Sequence, residues 1–442
     1  MRVNPGSFED LEDFISSLAS PGIRPGLERM GRLLDFLGNP EKDFPAVHIV
    51  GTNGKGSTAA FSASILKEAG YRTALYTSPH LESPDERLLV DGVPLSLNDW
   101  ARACEKISKA LGDNPALASD PPTYFELVTA AALLLCSQNS VDIVVAEAGL
   151  GGRLDATNLL GGVELSLIAS ISLDHSDFLG NTLEEIAGEK FAVMRRGVPA
   201  FFSGSPQKLV PLFKEKAQEK GALPFVLFEE VKADDISITE EGVSFIFRSG
   251  EKRLKLNTPL HGSFQVENCS LAVAGMIALS TKFPLITDDA ILKGVQKARW
   301  PGRFEILRPV PPLILDGAHN PDGMRRLVES LGMIYGANKP AALFASMKDK
   351  DYSEGLSLLK EGAGFLICTS VPGNLRSEDP ENLAAAALKA GWTQEKVKII
   401  PDPREALFEA EKTGKGTVCC GSLYFVGHMR TMLFSNRKEL GF

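Results

Sequence analysis

Several things that would steer a reading elsewhere are scarce in this chain. Its six cysteines, Cys104, Cys136, Cys269, Cys368, Cys419 and Cys420, form no CxxC pair, and their spacing suits neither a zinc site nor a disulfide framework. Cys419 and Cys420 stand side by side on an apolar run, where free thiols act as small buried hydrophobes rather than as a redox pair. That usage fits a reducing cytosol, so a cytoplasmic location is expected. The opening MRVNPGSFEDLEDF lacks a basic stretch and an apolar core, so no signal peptide is expected. The longest apolar run, 127–136, is about half of the roughly 20 residues needed to span a bilayer, so no membrane partner is expected. An excess of basic residues is missing too. Forty-seven Lys and Arg against 56 Asp and Glu leave a formal charge of −9, which argues against a nucleic-acid partner. Repeats and low-complexity tracts are absent.

What remains is ordinary globular material, 44% apolar and 23% charged over 442 residues. A chain of this length buries about three quarters of its unfolded surface and needs no staples. Short β-rich runs at 46–50, 72–77, 142–146, 165–171 and 199–203 alternate with helical periodicity at 55–69 and 123–138. The strand runs are almost continuously apolar, as in a sheet covered on both faces. Between 224 and 260 the rhythm changes to alternating runs at 236–239, 243–248 and 252–256, separated by Glu-Gly and Ser-Gly turns. Helices follow at 264–280 and 288–298, and the Pro-Gly step within 299–303 breaks regular structure. Strand candidates resume at 312–316, 341–345, 365–369, 397–400 and 417–420. The expected fold class is α/β. An N-terminal P-loop-type doubly wound, mostly parallel sheet domain with a small antiparallel meander spans 1–298. A linker at 299–303 leads to a smaller Rossmann-like α/β domain at 304–442.

Chemistry concentrates at the C-terminal ends of these strands, where open α/β sheets bind ligands. Thr52, Asn53, Gly54, Lys55, Gly56, Ser57 and Thr58 follow Gly51 between a strand and a helix. Glycines there turn backbone N–H groups toward a phosphate, Lys55 reaches the β- and γ-phosphates, and the Ser57 hydroxyl suits Mg²⁺. The spacing departs from the ordinary Walker A, with two residues between Gly51 and Gly54 and with Gly56 directly after the lysine. Glu147 ends a strand and precedes a glycine-rich run, where a carboxylate is a natural Mg²⁺ ligand. Asp174 and His175 lie beyond the 165–171 strand. Lys190 reads by residue type as an ordinary helical lysine. Further on, Asp316 and His319 sit at a strand end, with Asn320 as a helix N-cap and Pro321 in the first turn. Arg303 closes the linker. For Arg303, Asp316 and His319, capping and surface pairing remain alternatives.

Taken together, GTNGKGS, TSPHL at 77–81, EAGLGGRLDATN at 147–158, LDH at 173–175, GEK at 188–190, PGRFE at 301–305 and LDGAHNP at 315–321 resemble the dihydrofolate synthase/folylpolyglutamate synthase family of Mur ligases. The resemblance implies an ATP-dependent amide ligase that joins L-glutamate to dihydropteroate or folate through an acyl phosphate, acting as a monomer with ATP as co-substrate. It implies one Mg²⁺ on Ser57, Ser78 and Glu147, and a second on Glu147, His175 and Lys190, with Lys190 carboxylated. It also implies ATP contacts from Asn268, Arg303, Asp316 and His319, and closure of the linker over ATP. The pterin is placed near Thr123, Tyr124, Phe125, Glu126, Leu154, Asp155 and Ala156, with Phe125 stacking on the ring. Ala148, Phe191 and Phe264 depart from the usual family residues, although none of them is a metal or ATP group. The readings that compete are a cell-wall Mur ligase using a UDP-linked substrate and a nucleotide-binding ATPase that ligates nothing.

Overall fold

The computed structural model describes residues 5–435. The sequence expectations that reach into 1–4 and 436–442 lie outside the described residues.

The first of two compact units comprises Met1–Asp234, Ile246–Leu256 and Glu267–Ala298. It is built on an eight-stranded sheet whose strands, in chain order, are β1 (Pro45–Val50), β2 (Thr73–Tyr76), β3 (Leu88–Val90), β4 (Val93–Pro94), β5 (Ile143–Glu147), β6 (Gly162–Ile168), β7 (Pro199–Phe202) and β8 (Leu223–Val226). Their spatial order is β4-β3-β2-β5-β1-β6-β7-β8. From β2 to β8 the pairing is parallel, and β3 and β4 add an antiparallel edge. Strands β1, β2 and β5 are buried along nearly their whole length, which explains why their sequences are apolar without alternation. Helix Lys55–Glu68 follows β1 with ten buried residues, and helix Tyr124–Gln138 precedes β5 with eleven, so both read as apolar all round.

β8 belongs to this sheet as its parallel edge strand, a strand not among the candidates read from the sequence. It is half exposed, so it lacks the continuous apolar signature of its neighbours. β6 also ends earlier than expected, at Ile168 rather than at 171. The apolar Ala169 and Ile171 are buried in the loop, which extended the strand signal beyond the last sheet residue.

The three meander strands are β9 (Lys232–Thr239), β10 (Gly242–Ser249) and β11 (Lys252–Thr258), in the order β11-β10-β9. Their residues divide between the two units. The turn signals that mark strand ends say nothing of which core a strand packs in.

The second unit comprises Asp235–Phe245, Asn257–Val266 and Arg299–Phe442. Its sheet has the order β12-β13-β17-β14-β15-β16. The strands are β12 (Glu305–Arg308), β13 (Leu313–Leu315), β14 (Ala341–Phe344), β15 (Phe365–Cys368), β16 (Val397–Ile399) and β17 (Thr417–Cys420). Among the described strands of this sheet only β12 runs antiparallel. Its core gathers Phe304, Ile314, Leu327, Phe344, Leu356 and Leu383. All six cysteines are free and buried, and burial holds the Cys419 and Cys420 thiols far above their usual range, which suits packing and not redox chemistry. No helix among the described residues is long and apolar enough to cross a membrane.

Candidate active site

β1 lies between β5 and β6, although the chain visits β2 and β5 before returning to β6 on the other side. The order of connection reverses around β1, and the crevice beyond the ends of β5, β1 and β6 is the expected ligand position. The loop after β1 is the phosphate loop. Gly54 caps the following helix at φ 88°, and an added Cβ there would stand 2.3 Å from Asn268 Oδ1. A Cβ on Gly51 would stand 2.8 Å from the Cβ of Ala169. Glycine is therefore required at both positions by close approach as well as by dihedral.

The segment after β6 laces the loop in place. Thr52 N–H donates to Ser170 O at 2.7 Å, and Thr52 Oγ1 donates to Ser172 O and accepts from Ser172 N–H, both at 3.1 Å. Ser170 Oγ donates to Asn53 O at 3.2 Å. Ser170 and Ser172 were not singled out in the sequence. Their only signal is a pair of hydroxyls inside an otherwise apolar run. The first turn of the helix, with Gly56, Ser57 and Thr58 buried, opens on this loop, where Thr58 N–H donates to Gly54 O at 2.9 Å, and the N–H groups at a helix start form an anion cradle.

Lys55 Nζ donates to Thr52 O at 3.0 Å and lies 3.9 Å from Glu147 Oε1. Glu147 is the last residue of β5 and is 6% exposed. Lys190, on helix Leu183–Phe191, is 3% exposed, and its Nζ donates to Gly51 O at 2.8 Å. Burial pushes the Lys190 ammonium down to about 7, and the charge on Lys55 adds to the effect. Near neutral pH a large fraction of this amine is thus unprotonated. Lys55, Glu147 and Lys190 converge on the phosphate loop.

The remaining metal candidates fall on the same edge with different exposure. Ser78 follows β2 by two residues, and its Oγ is buried without a hydrogen-bond partner among the described residues. His175 stands seven residues past β6 in the left-handed region, φ 52°, with an exposed ring whose Nε2 lies 3.9 Å from Asp174 Oδ1. Among the described residues no group of three or more His, Cys, Asp or Glu is placed to hold a metal ion. The candidates Ser57, Ser78, Glu147, His175 and Lys190 include only two residues of those four types, and the serine and carboxylate oxygens are of the kind that suits a hard cation.

The residues read as pterin-lining have distinct environments. Thr123 and Glu126 form a capping box at the start of helix Tyr124–Gln138. Glu126 also pairs with buried Arg29 at 3.3 Å, so both Thr123 and Glu126 hold structure. The Phe125 ring lies so near Gly149 that a Cβ there would stand 2.6 Å from it. Asp155 is buried, accepting from Leu150 N–H at 2.8 Å, Thr157 N–H at 2.9 Å and Thr157 Oγ1 at 2.6 Å. It pins the glycine-rich loop. Burial raises its carboxyl above the usual range. Leu154 is half-buried and Ala156 is buried beside it. His48 Nε2 reaches Thr157 Oγ1 at 2.8 Å and completes this network. The sequence reading missed His48, which sits in a run that reads simply as strand, and gave Thr157 no role of its own within the 147–158 motif.

In the second unit, Asn320 Oδ1 caps helix Pro321–Tyr335 by accepting from Gly323 N–H at 2.8 Å. His319 Nδ1 lies 2.8 Å from Gly317 O. Asp316 accepts from Phe304 N–H at 2.7 Å and Ala318 N–H at 2.8 Å, one on each carboxylate oxygen. An added Cβ on Gly317 would stand 2.1 Å from Arg303 Nη1, so the guanidinium lies directly over that glycine.

The chain matches the Mur ligase middle domain over residues 49–276 and the glutamate ligase domain of Mur ligases over 302–422. It is 33% identical to the dihydrofolate synthase/folylpolyglutamate synthase of Bacillus subtilis, covering 97% of this chain and 99% of the relative. Folylpolyglutamate synthase of Mycobacterium tuberculosis, solved with ADP and AMPPCP, superimposes with a TM-score of 0.88 at 29% identity over 96% of this chain and 98% of that one. Escherichia coli FolC, solved with DHPP and ADP, superimposes with a TM-score of 0.84 at 31% identity, covering 98% of this chain and 99% of that one. With its phosphate loop, its Glu147 edge and its two α/β units, this chain belongs to the dihydrofolate synthase/folylpolyglutamate synthase family of Mur ligases.

Proposed function

We propose that this protein is an ATP-dependent acid–amino-acid ligase that adds L-glutamate to dihydropteroate, to the glutamate tail of a reduced folate, or to both. The observation that carries the reading is the convergence of Lys55, Glu147 and Lys190 on the strand-to-helix phosphate loop. The Bacillus subtilis and Mycobacterium tuberculosis relatives are named as synthases of this kind, and the two solved neighbours hold adenine nucleotides.

The acceptor carboxylate is a poor electrophile. Its oxygen attacks the γ-phosphorus of ATP, ADP leaves, and an acyl phosphate forms. The amine of glutamate then attacks the acyl carbon, loses a proton, and expels inorganic phosphate. Lys55 and the N–H groups of helix Lys55–Glu68 stabilise charge on the transferring phosphoryl group by position and electrostatics. No nucleophilic side chain is needed. Ser57, Ser78 and Glu147 would hold one Mg²⁺, and Glu147, His175 and a carboxylated Lys190 a second. When bound, the metal supplies Lewis-acid charge neutralisation on the phosphates.

The residues fit that group. Ser78 Oγ is a buried oxygen with no partner among the described residues, and the depressed pKa of Lys190 leaves the neutral amine that can add CO₂. We further propose ATP contacts from Asn268, Arg303 and His319, with the protein acting as a cytoplasmic monomer.

The test is ADP release with ATP, Mg²⁺ and L-glutamate, comparing dihydropteroate, tetrahydrofolate and a UDP-linked cell-wall peptide as acceptors. Turnover with a pteridine and none with the UDP-linked peptide is expected. ATP hydrolysis indifferent to every acceptor would replace the ligase reading with a nucleotide-dependent ATPase. Lys190→Ala should abolish ligation, with partial rescue by a small carboxylate, and full activity in that variant would refute the second metal site.

A further inference from the structure

Two arginines of the first unit are equally buried, at 7% exposure each, and are used differently. Arg29 spends its guanidinium on Glu126, at 3.3 and 3.4 Å, and on the carbonyl of Arg24 at 2.5 Å. Arg87 closes the short helix Pro84–Arg87 and leads into β3, with its carbonyl accepting from Thr77 N–H at 3.0 Å. Its Nε donates to His80 Nδ1 at 3.1 Å. Arginine only donates, so Nδ1 is the acceptor and the bond fixes the plane of the guanidinium. The Tyr124 ring flanks that plane, with its centroid 5.5 Å from Cζ, and Tyr124 Oη donates to Glu12 Oε1 at 2.7 Å. Among the described residues, no carboxylate pairs with Arg87 and no group accepts from its Nη1 or Nη2. A guanidinium taken this far out of water is ordinarily paired. This one keeps two forward donors unspent at the ligand edge of β2, beside the helix whose Phe125 faces Gly149.

We propose that Nη1 and Nη2 of Arg87 bind the pterin ring of the acceptor as a fork, on its 4-oxo oxygen and N5, and that this contact favours dihydro- over tetrahydropterins. The proposal rests on the pteridine-ligase reading above. Arginine reads guanine by a bidentate contact to O6 and N7. A 7,8-dihydropterin presents the same pair of acceptors, a carbonyl oxygen and an imine nitrogen across the ring fusion. In a tetrahydropterin N5 carries a hydrogen, and the fork meets a donor where it needs an acceptor. His80 and Tyr124 hold the fork in orientation, and Phe125 covers the ring face.

The experiment is steady-state ADP release by the full chain with dihydropteroate, its 5-deaza analogue and tetrahydrofolate, on wild type and on Arg87→Lys. In wild type the 5-deaza analogue, with CH in place of N5, should show a KM higher on the order of tenfold. Arg87→Lys should raise KM for dihydropteroate by a similar factor and for tetrahydrofolate by less, with KM for ATP little changed. In the variant, the deaza and parent compounds should differ by less than threefold, because both changes remove one contact. Equal KM values for the deaza and parent compounds in wild type overturn the fork without requiring any variant to fold. A uniform loss across both pteridines and ATP overturns it in favour of a structural role. If wild type turns over neither pteridine, the ligase reading itself fails and takes this proposal with it.

Discussion

Asp316 holds Phe304 in a backbone conformation that an L-residue rarely adopts. Phe304 has φ 46° with a fully buried ring, and its N–H donates to Asp316 Oδ2 at 2.7 Å. A bulky residue in the left-handed region costs on the order of 1–3 kcal/mol and persists only where its surroundings over-determine it. Here the ring is anchored in the core of the second unit and the N–H by a carboxylate. Arg303, one residue earlier, is thereby aimed over Gly317. With both oxygens spent on the backbone, Asp316 acts on Arg303 by positioning. Asp316→Ala strands two buried N–H groups and should cost about 2–5 kcal/mol in urea unfolding. Asp316→Asn, which keeps one acceptor, should cost clearly less. Equal stability of the alanine variant and wild type would show that the carboxylate serves the ligand and not the turn.

Ser78 gives the opposite expectation. Its buried Oγ has no partner among the described residues, so the hydroxyl is desolvated without return. Ser78→Ala should leave the urea midpoint unchanged or slightly raised, while the Mg²⁺ concentration for half-maximal activity rises several-fold. Unaltered magnesium dependence would remove Ser78 from the metal site.

What the sequence disclosed, and what it hid, follows from range. The phosphate loop, the Glu147 strand end and the Asn320 cap are local patterns, in which a few adjacent residues force a turn or a helix start, and each reads directly. Family resemblance named Lys190 where residue type could not, because its burial against Gly51 joins positions 139 apart. The half-exposed edge strand β8 lacked the apolar run that marks its neighbours. Thr123, Glu126 and Asp155 stood out as candidate pterin contacts, yet their side chains cap helices and pin loops. Such motifs conflate residues that touch ligand with residues that hold the touching ones in place.

Gly149 illustrates that distinction. An alanine Cβ there would stand 2.6 and 2.7 Å from two atoms of the Phe125 ring, too close for contact, so the ring must move. Gly149→Ala should raise KM for the pteridine on the order of tenfold and leave KM for ATP nearly unchanged. Adding Phe125→Ala restores the space, so the double variant should bind pteridine no worse than Phe125→Ala alone. Additive losses would place the effect of Gly149 elsewhere than on that ring.

The His48–Thr157–Asp155 network makes stability depend on pH. Thr157 Oγ1 gives its hydrogen to Asp155 Oδ1 at 2.6 Å, so His48 Nε2 must be the donor in its 2.8 Å contact with Oγ1. Nδ1 is buried without a partner among the described residues. Complete burial pushes its pKa down to about 3, and the charge on Arg195 acts in the same direction. In the unfolded chain an imidazole titrates near its ordinary value of about 6.5. Between those values the unfolded state binds the extra proton, so stability is lost as pH falls below about 6.5. By pH 5 the loss from this group is about 2 kcal/mol, from roughly 1.5 pH units at 1.36 kcal/mol each. His48→Gln keeps a donor for Thr157 and carries no titrating ring. Its drop in unfolding free energy between pH 7.5 and pH 5 should be smaller than that of wild type by about 2 kcal/mol. Parallel acid limbs for the two proteins in urea titrations would show that His48 does not set the acid sensitivity of this strand.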